Sequence, residues 1–170
     1  MSSRSISTEI ITNKIYFIRG QKVMLDRDLA KLYGIGTRDL NKAVTRNIER
    51  FPEDFMFQIR QEEFDNLMFQ FGTSSHGGTR KMPRVFTEHG VAMLSSVLRS
   101  QRAVLVNVAI MRAFVKLREV LSLHKELAAQ LKELEHKVEG HDESIHAIFE
   151  AIRRLMKEEA KPKHPIGFHA

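Results

Sequence analysis

Arg38, Lys42, Arg46 and Arg50 stand four residues apart, a spacing that gathers four cations on one stripe of a single helix. Like charges at that spacing repel, so the stripe gains stability when something negative faces it. Guanidinium and ammonium groups suit phosphate oxygens and guanine edges, and the amide of Asn41, on the same side, can pair with adenine. Thr37, Arg38, Asn41, Lys42, Thr45, Arg46 and Arg50 therefore form a candidate surface for double-stranded DNA. Arg80, Lys81 and Arg84 end a Gly- and Ser-rich loop and could press on a phosphate backbone, adding affinity without reading sequence. The plainer alternative is a solvated charged face, since Asp39 and Glu49 lie close by.

The elements that must position these cations follow from the flanking residues. Residues 15–18 and 22–25, joined through Arg19-Gly20-Gln21, read as a β-hairpin. Asp26 caps a short helix through Tyr33, with Leu29, Ala30 and Tyr33 inward, and Gly34 ends it in the left-handed conformation. Thr37 caps a second helix, Arg38 to about Arg50, whose buried side carries Leu40, Ala43, Val44 and Ile48. Phe51-Pro52 stops it. Two short helices around a glycine corner make a helix-turn-helix, the second helix being the one such a unit seats in a DNA groove. A strand through Phe55, Phe57 and Ile59, a helix from Glu62 to about Phe69 and a brief strand at Val85-Phe86 follow. Thr87 and Ser100 are N-cap candidates for two further helices. The second, Gln101 to Val120, is apolar on nearly every side and belongs in the centre of a core.

Beyond it, Leu117, Val120, His124, Leu127, Leu131, Leu134, Val138, His141, Ile145, Ile148, Ile152 and Leu155 alternate three and four apart, as a and d positions of a heptad repeat. A helix with so narrow an apolar stripe calls for a second copy, so a coiled-coil homodimer or higher oligomer is expected. Gly140 is the weak point, and a helical hairpin within one chain is the rival reading. The parallel dimer is preferred because the register survives the glycine.

Charge supports a polyanion partner. Of 27 lysines and arginines against 21 aspartates and glutamates, residues up to Leu123 hold 19 against 12 and the remainder 8 against 9. The chain has no cysteine, which excludes disulfides and thiolate chemistry and fits a reducing cytoplasm. The N-terminus lacks the apolar run of a secretory signal, and the most apolar stretch, residues 103–111, is far short of a bilayer span, so a cytoplasmic protein with no membrane partner is expected.

"VMLDRDLAKLYGI", "RNIERFPEDFMFQI", "TRKMPRVFTEHGVAMLSSVLRS" and "VNVAIMRAFVKLRE" together give a resemblance over about residues 10–120. The chain resembles the KilA-N-type DNA-binding family, in the branch found at the N-terminus of phage and bacterial open-reading-frame-six proteins. The resemblance implies a phage- or prophage-derived regulator of transcription. The alternative is an antirepressor-like interaction module that sequesters a repressor protein. The expected architecture is α+β, a small helix-turn-helix domain with short β-hairpins and a buried long helix, followed by an all-α coiled-coil extension. Residues 1–9 are expected to be a disordered leader, 10–120 the KilA-N-like domain, 121–159 the dimerisation helix and 160–170 a flexible basic tail.

Other chemistry has little footing, and no catalytic residues, metal or cofactor are expected. "GTSSHGGT" approaches a phosphate-binding loop, but Gly78 stands where the lysine must be. His141, Asp142 and His146 are close in sequence, yet a five-residue step puts the two imidazoles on different helix faces. No paired carboxylates sit in an apolar frame, so a binding protein and not an enzyme is expected.

Overall fold

The computed structural model describes residues 6–70, 81–137 and 143–160. Arg80, Val138 and His141, with most of the loop and the basic tail, lie outside the described residues. The expected leader is shorter than nine residues, because helix α1 (Thr8–Thr12) begins inside it and Ile11 is fully buried.

The architecture is α+β, as the composition of segments required. Strands β1 (Ile15–Ile18), β2 (Gln21–Leu25), β3 (Met56–Gln58) and β4 (Arg84–Thr87) form an antiparallel sheet in the order β1-β2-β4-β3. Its register sets the two faces. Ile15, Met24, Phe86 and Met56 pair in one row across all four strands, and Leu25, Val85 and Phe57 pair in the next. Side chains alternate across a strand, so neighbouring rows point to opposite faces. Both rows are apolar, so the sheet must be covered on both sides. On one side Tyr16, Ile18, Val23, Leu25 and Val85 pack with Phe64, Leu67 and Met68 of α4 (Gln61–Gln70).

Helix α2 (Asp26–Tyr33) leaves β2 directly and packs on β2, β4 and α3 (Thr37–Arg46). Gly34 takes φ 74°, the left-handed conformation expected of it, and turns the chain toward α3. Two hydrogen bonds to α6 (Gln101–Lys137) hold this corner. The Tyr33 hydroxyl donates a short hydrogen bond to buried Asn107, and Arg102 Nε donates to the Leu32 carbonyl at 3.0 Å. Ser100 caps α6 through the Ala103 amide, and Thr87 caps α5 (Glu88–Leu94) through the Gly90 amide, both as expected.

Helix α6 is less buried than its composition suggests. Ala103, Val106, Ile110, Ala113 and Phe114 are buried, but Val104, Leu105, Val108 and Val115 are exposed. One face closes the core and the other does not, so the expectation of a helix buried all round is corrected.

Asp28, near the start of α2, is packed away from water beside Tyr16, and this burial lifts its carboxyl above the usual range against the pull of Lys14 at 3.8 Å. The folded state then holds the proton more tightly than the unfolded chain, so stability falls as pH rises from 3.8 through the folded value. Asp28→Asn is expected to raise the melting temperature at pH 7, with the gain vanishing below pH 3.8, as thermal melts across pH would show.

The chain divides into two compact units, the first reaching Phe114 and the second starting at Val115, a few residues before the boundary expected at 120. In the second unit α7 (Glu143–Ala160) returns alongside the end of α6, because Glu135 pairs with Arg153 and lies 3.5 Å from His146. In a continuous helix residues 135 and 153 would be about 27 Å apart. The rival hairpin is therefore what one chain forms, and the expected unbroken coiled-coil helix is corrected.

Candidate nucleic-acid interface

Helix α3 owes its orientation to an amphipathic pattern. Leu40 and Val44 are fully buried, and the opposite stripe of Arg38, Lys42 and Arg46 is exposed. The three cations face an open groove of about 1110 Å³, whose other wall is the approach to β4, residues Lys81 to Arg84, with Gln58 of β3. Arg27 also lines it. Among the described residues, six cations and a single carboxylate, Asp26, surround this space. Among the described residues no carboxylate forms an ion pair with Arg38, Lys42 or Arg46.

The carboxylate is already committed. Asp26 is 5% exposed, so it adds little negative potential at the groove mouth. Its Oδ1 accepts from the Arg27 amide at 2.7 Å, and its Oδ2 from Asn41 Nδ2 at 2.9 Å and from the Arg84 amide at 3.2 Å. One side chain thus ties the start of α2 to the middle of α3 and the start of β4. The cap of α2 is Leu25, so the capping role expected of Asp26 is replaced by this bridging one. Arg84 completes the wall by donating from Nη1 to Thr45 Oγ1 at 3.1 Å and to the Asn41 carbonyl at 3.3 Å.

Asp26→Ala would strand two backbone amides and the Asn41 amide in a half-buried setting. It is expected to cost about 3 kcal/mol in chemical denaturation, and Asp26→Asn, which keeps an acceptor oxygen, should recover part of the loss.

The expected site residues divide accordingly. Arg38, Lys42, Thr45, Arg46, Lys81 and Arg84 converge on the groove, and Thr37 lies at its edge. Thr37 is the first residue of α3 and not its cap, which is Gly36. Asn41 lines the groove, but its amide is turned inward to Asp26, so it is not placed to read a base. Arg50 leaves the stripe altogether. Helix α3 ends at Arg46 because Asn47 takes φ −125°, ψ 34°, and residues 48–50 form a separate 3₁₀ turn. Arg50 there donates to Ser96 Oγ at 3.3 Å, and Ile48, expected inside, is half exposed. Arg27, Gln58, Met82 and Pro83 were not legible as groove residues, because the packing of α2 on α3 and the pairing of β3 with β4, and not spacing, bring them there.

Residues 13–97 match the ORF6N domain, half of the chain. The chain belongs to the ORF6N domain family. The ORF6N match runs from just before β1 to the end of the α5 region, and every described residue lining the groove lies inside it. It is narrower than the resemblance over residues 10–120, leaving α6 and α7 outside the ORF6N domain. No curated protein and no solved structure matches the chain. No helix among the described residues is long and apolar enough to cross a membrane.

Proposed function

We propose that this ORF6N chain is a phage- or prophage-type regulatory protein that binds duplex DNA by seating α3 in the major groove. The observation that carries this reading is the alignment of Arg38, Lys42 and Arg46 with Lys81 and Arg84 around one open groove whose only carboxylate among the described residues is buried and hydrogen-bonded. Such a surface repels itself until an anion fills it, and a phosphate-lined duplex supplies that charge along the whole stripe. Two short helices, α2 and α3, joined at the left-handed Gly34 support the helix-turn-helix reading, and the resemblance to KilA-N-type domains points the same way. Arg84, held by Thr45, and Lys81 serve as phosphate contacts that fix register. Arg38, Lys42 and Arg46 neutralise phosphates along the stripe, and the same groups suit guanine edges within the groove. Pairing of two chains would set the spacing of two half-sites. The role is one of binding, with no cofactor or metal taking part.

Selection of bound sequences from a random duplex pool tests the proposal. Enrichment of a two-fold-symmetric site is expected, and a pool that emerges unchanged overturns it. The antirepressor reading predicts the second outcome together with capture of a repressor protein.

A further inference from the structure

The second unit places its apolar residues on the wrong side for a lone hairpin. Where α6 and α7 meet, the seam holds Glu135, Arg153 and His146, with Phe149 buried. Away from that seam Leu123, Leu127 and Leu134 on α6 are 43–54% exposed, and Ile148, Ile152 and Leu155 on α7 are 38–61% exposed. At about 100° per residue the α6 leucines lie roughly a quarter turn from Leu131 and Glu135, and the α7 residues a similar step from Phe149 and Arg153. The two helices run in opposite directions, and the steps have the same sense in each sequence. Both stripes therefore open on the same side of the hairpin. Ala151, also exposed, widens the α7 part and allows close approach.

We infer that this face is where a second copy of the chain docks, hairpin against hairpin, as a four-helix bundle. Three observations favour a second copy over an unrelated partner. Spacings of four and seven through Leu123, Leu127 and Leu134, and of four and three through Ile148, Ile152 and Leu155, are those of a packing seam, and such a seam is complementary to itself across a two-fold axis. Residues 115–163 carry ten lysines and arginines and ten aspartates and glutamates, so two copies approach without net repulsion, whereas residues 1–114 hold 17 against 11. Within the second unit only Leu117 and Phe149 are buried among the described residues, so most of the apolar surface of the hairpin is still open to water. A bundle of four helices encloses a core that two helices cannot. This docking face rests on the chain pairing in the proposed function, but it is tested without DNA.

Sedimentation of the full chain is expected to give twice the 19.6 kDa chain mass. The double variant I148E/I152E should sediment as a monomer with unchanged helical circular dichroism, since both positions are exposed in the single chain. A monomeric parent protein, or a double variant that still pairs, overturns the proposal. A second arm separates this bundle from a parallel coiled coil of opened helices. The chain has no cysteine, so E135C/R153C can be bridged by a bismaleimide within one chain, locking the hairpin. The locked protein should still pair, and its conversion to monomers would overturn the bundle. Should pairing hold and the duplex pool stay unenriched, the docking face stands and the DNA reading falls.

Discussion

Replacing Arg38, Lys42 and Arg46 together by alanine is expected to weaken duplex binding on the order of a hundredfold or more at physiological salt. The size follows from what the three side chains share. They occupy one stripe of α3, they line one groove, and no described carboxylate pairs with them. Each cation that neutralises a phosphate releases counterions, so the slope of log affinity against log salt should fall by about 0.9 for each phosphate left without its cation. For the triple variant that is a drop of about 3 in slope. Exposed substitutions of this kind leave stability nearly unchanged, so the melting temperature is the control. Arg50→Ala is the second control, because Arg50 stands off the stripe beside Ser96 and should change affinity little. Titration of labelled duplex at several salt concentrations compares both variants with the parent protein. An unchanged slope in the triple variant would falsify the assignment of α3.

Gly90→Ala is expected to be the most damaging single substitution for the fold. Helix α5 starts against the loop before β3, where Thr87 both caps the helix and donates to the Asp54 carbonyl at 2.9 Å, while its own amide donates to the Phe55 carbonyl at 3.0 Å. That arrangement draws Gly90 onto the Phe55 peptide. A Cβ there would overlap the Phe55 carbonyl oxygen and stand 2.9 Å from its carbon. The obstacle is backbone held against the sheet, so it cannot swing aside as a side chain would. A cost of about 3 kcal/mol or more is expected, near the top of the range for overpacking. In a chain of this size that lowers the melting temperature by about 10 °C. Gly20→Ala offers the comparison. Gly20 has φ 72° but open space around it, so only the backbone strain of about 1 kcal/mol should appear. Equal melting temperatures for the two variants would show that the close approach at Gly90 is not what matters.

The sequence alone determined those features of this chain that short-range physics controls. The hairpin around Arg19-Gly20, the left-handed stop at Gly34, the caps at Thr87 and Ser100 and the inward set Leu40 and Val44 all depend on residues within a turn or two of each other. The cationic stripe belongs with them, since helix periodicity places Arg38, Lys42 and Arg46 together without help from elsewhere.

Tertiary structure decided the rest. Asn41 looked free to read a base until Asp26, fifteen residues earlier, claimed its amide, and Arg84 joined α3 only because β4 pairs beside β2. Arg50 fell off the stripe at Asn47, where the backbone leaves the helical conformation before Phe51 is buried. The heptad spacing was legible, but the direction of the helix after Lys137 was not. Periodicity records which residues share a face and says nothing about whether the next helix continues or turns back. The pairing of Glu135 with Arg153 and His146 settled that, because an ion pair between residues this far apart in sequence requires the chain to have reversed.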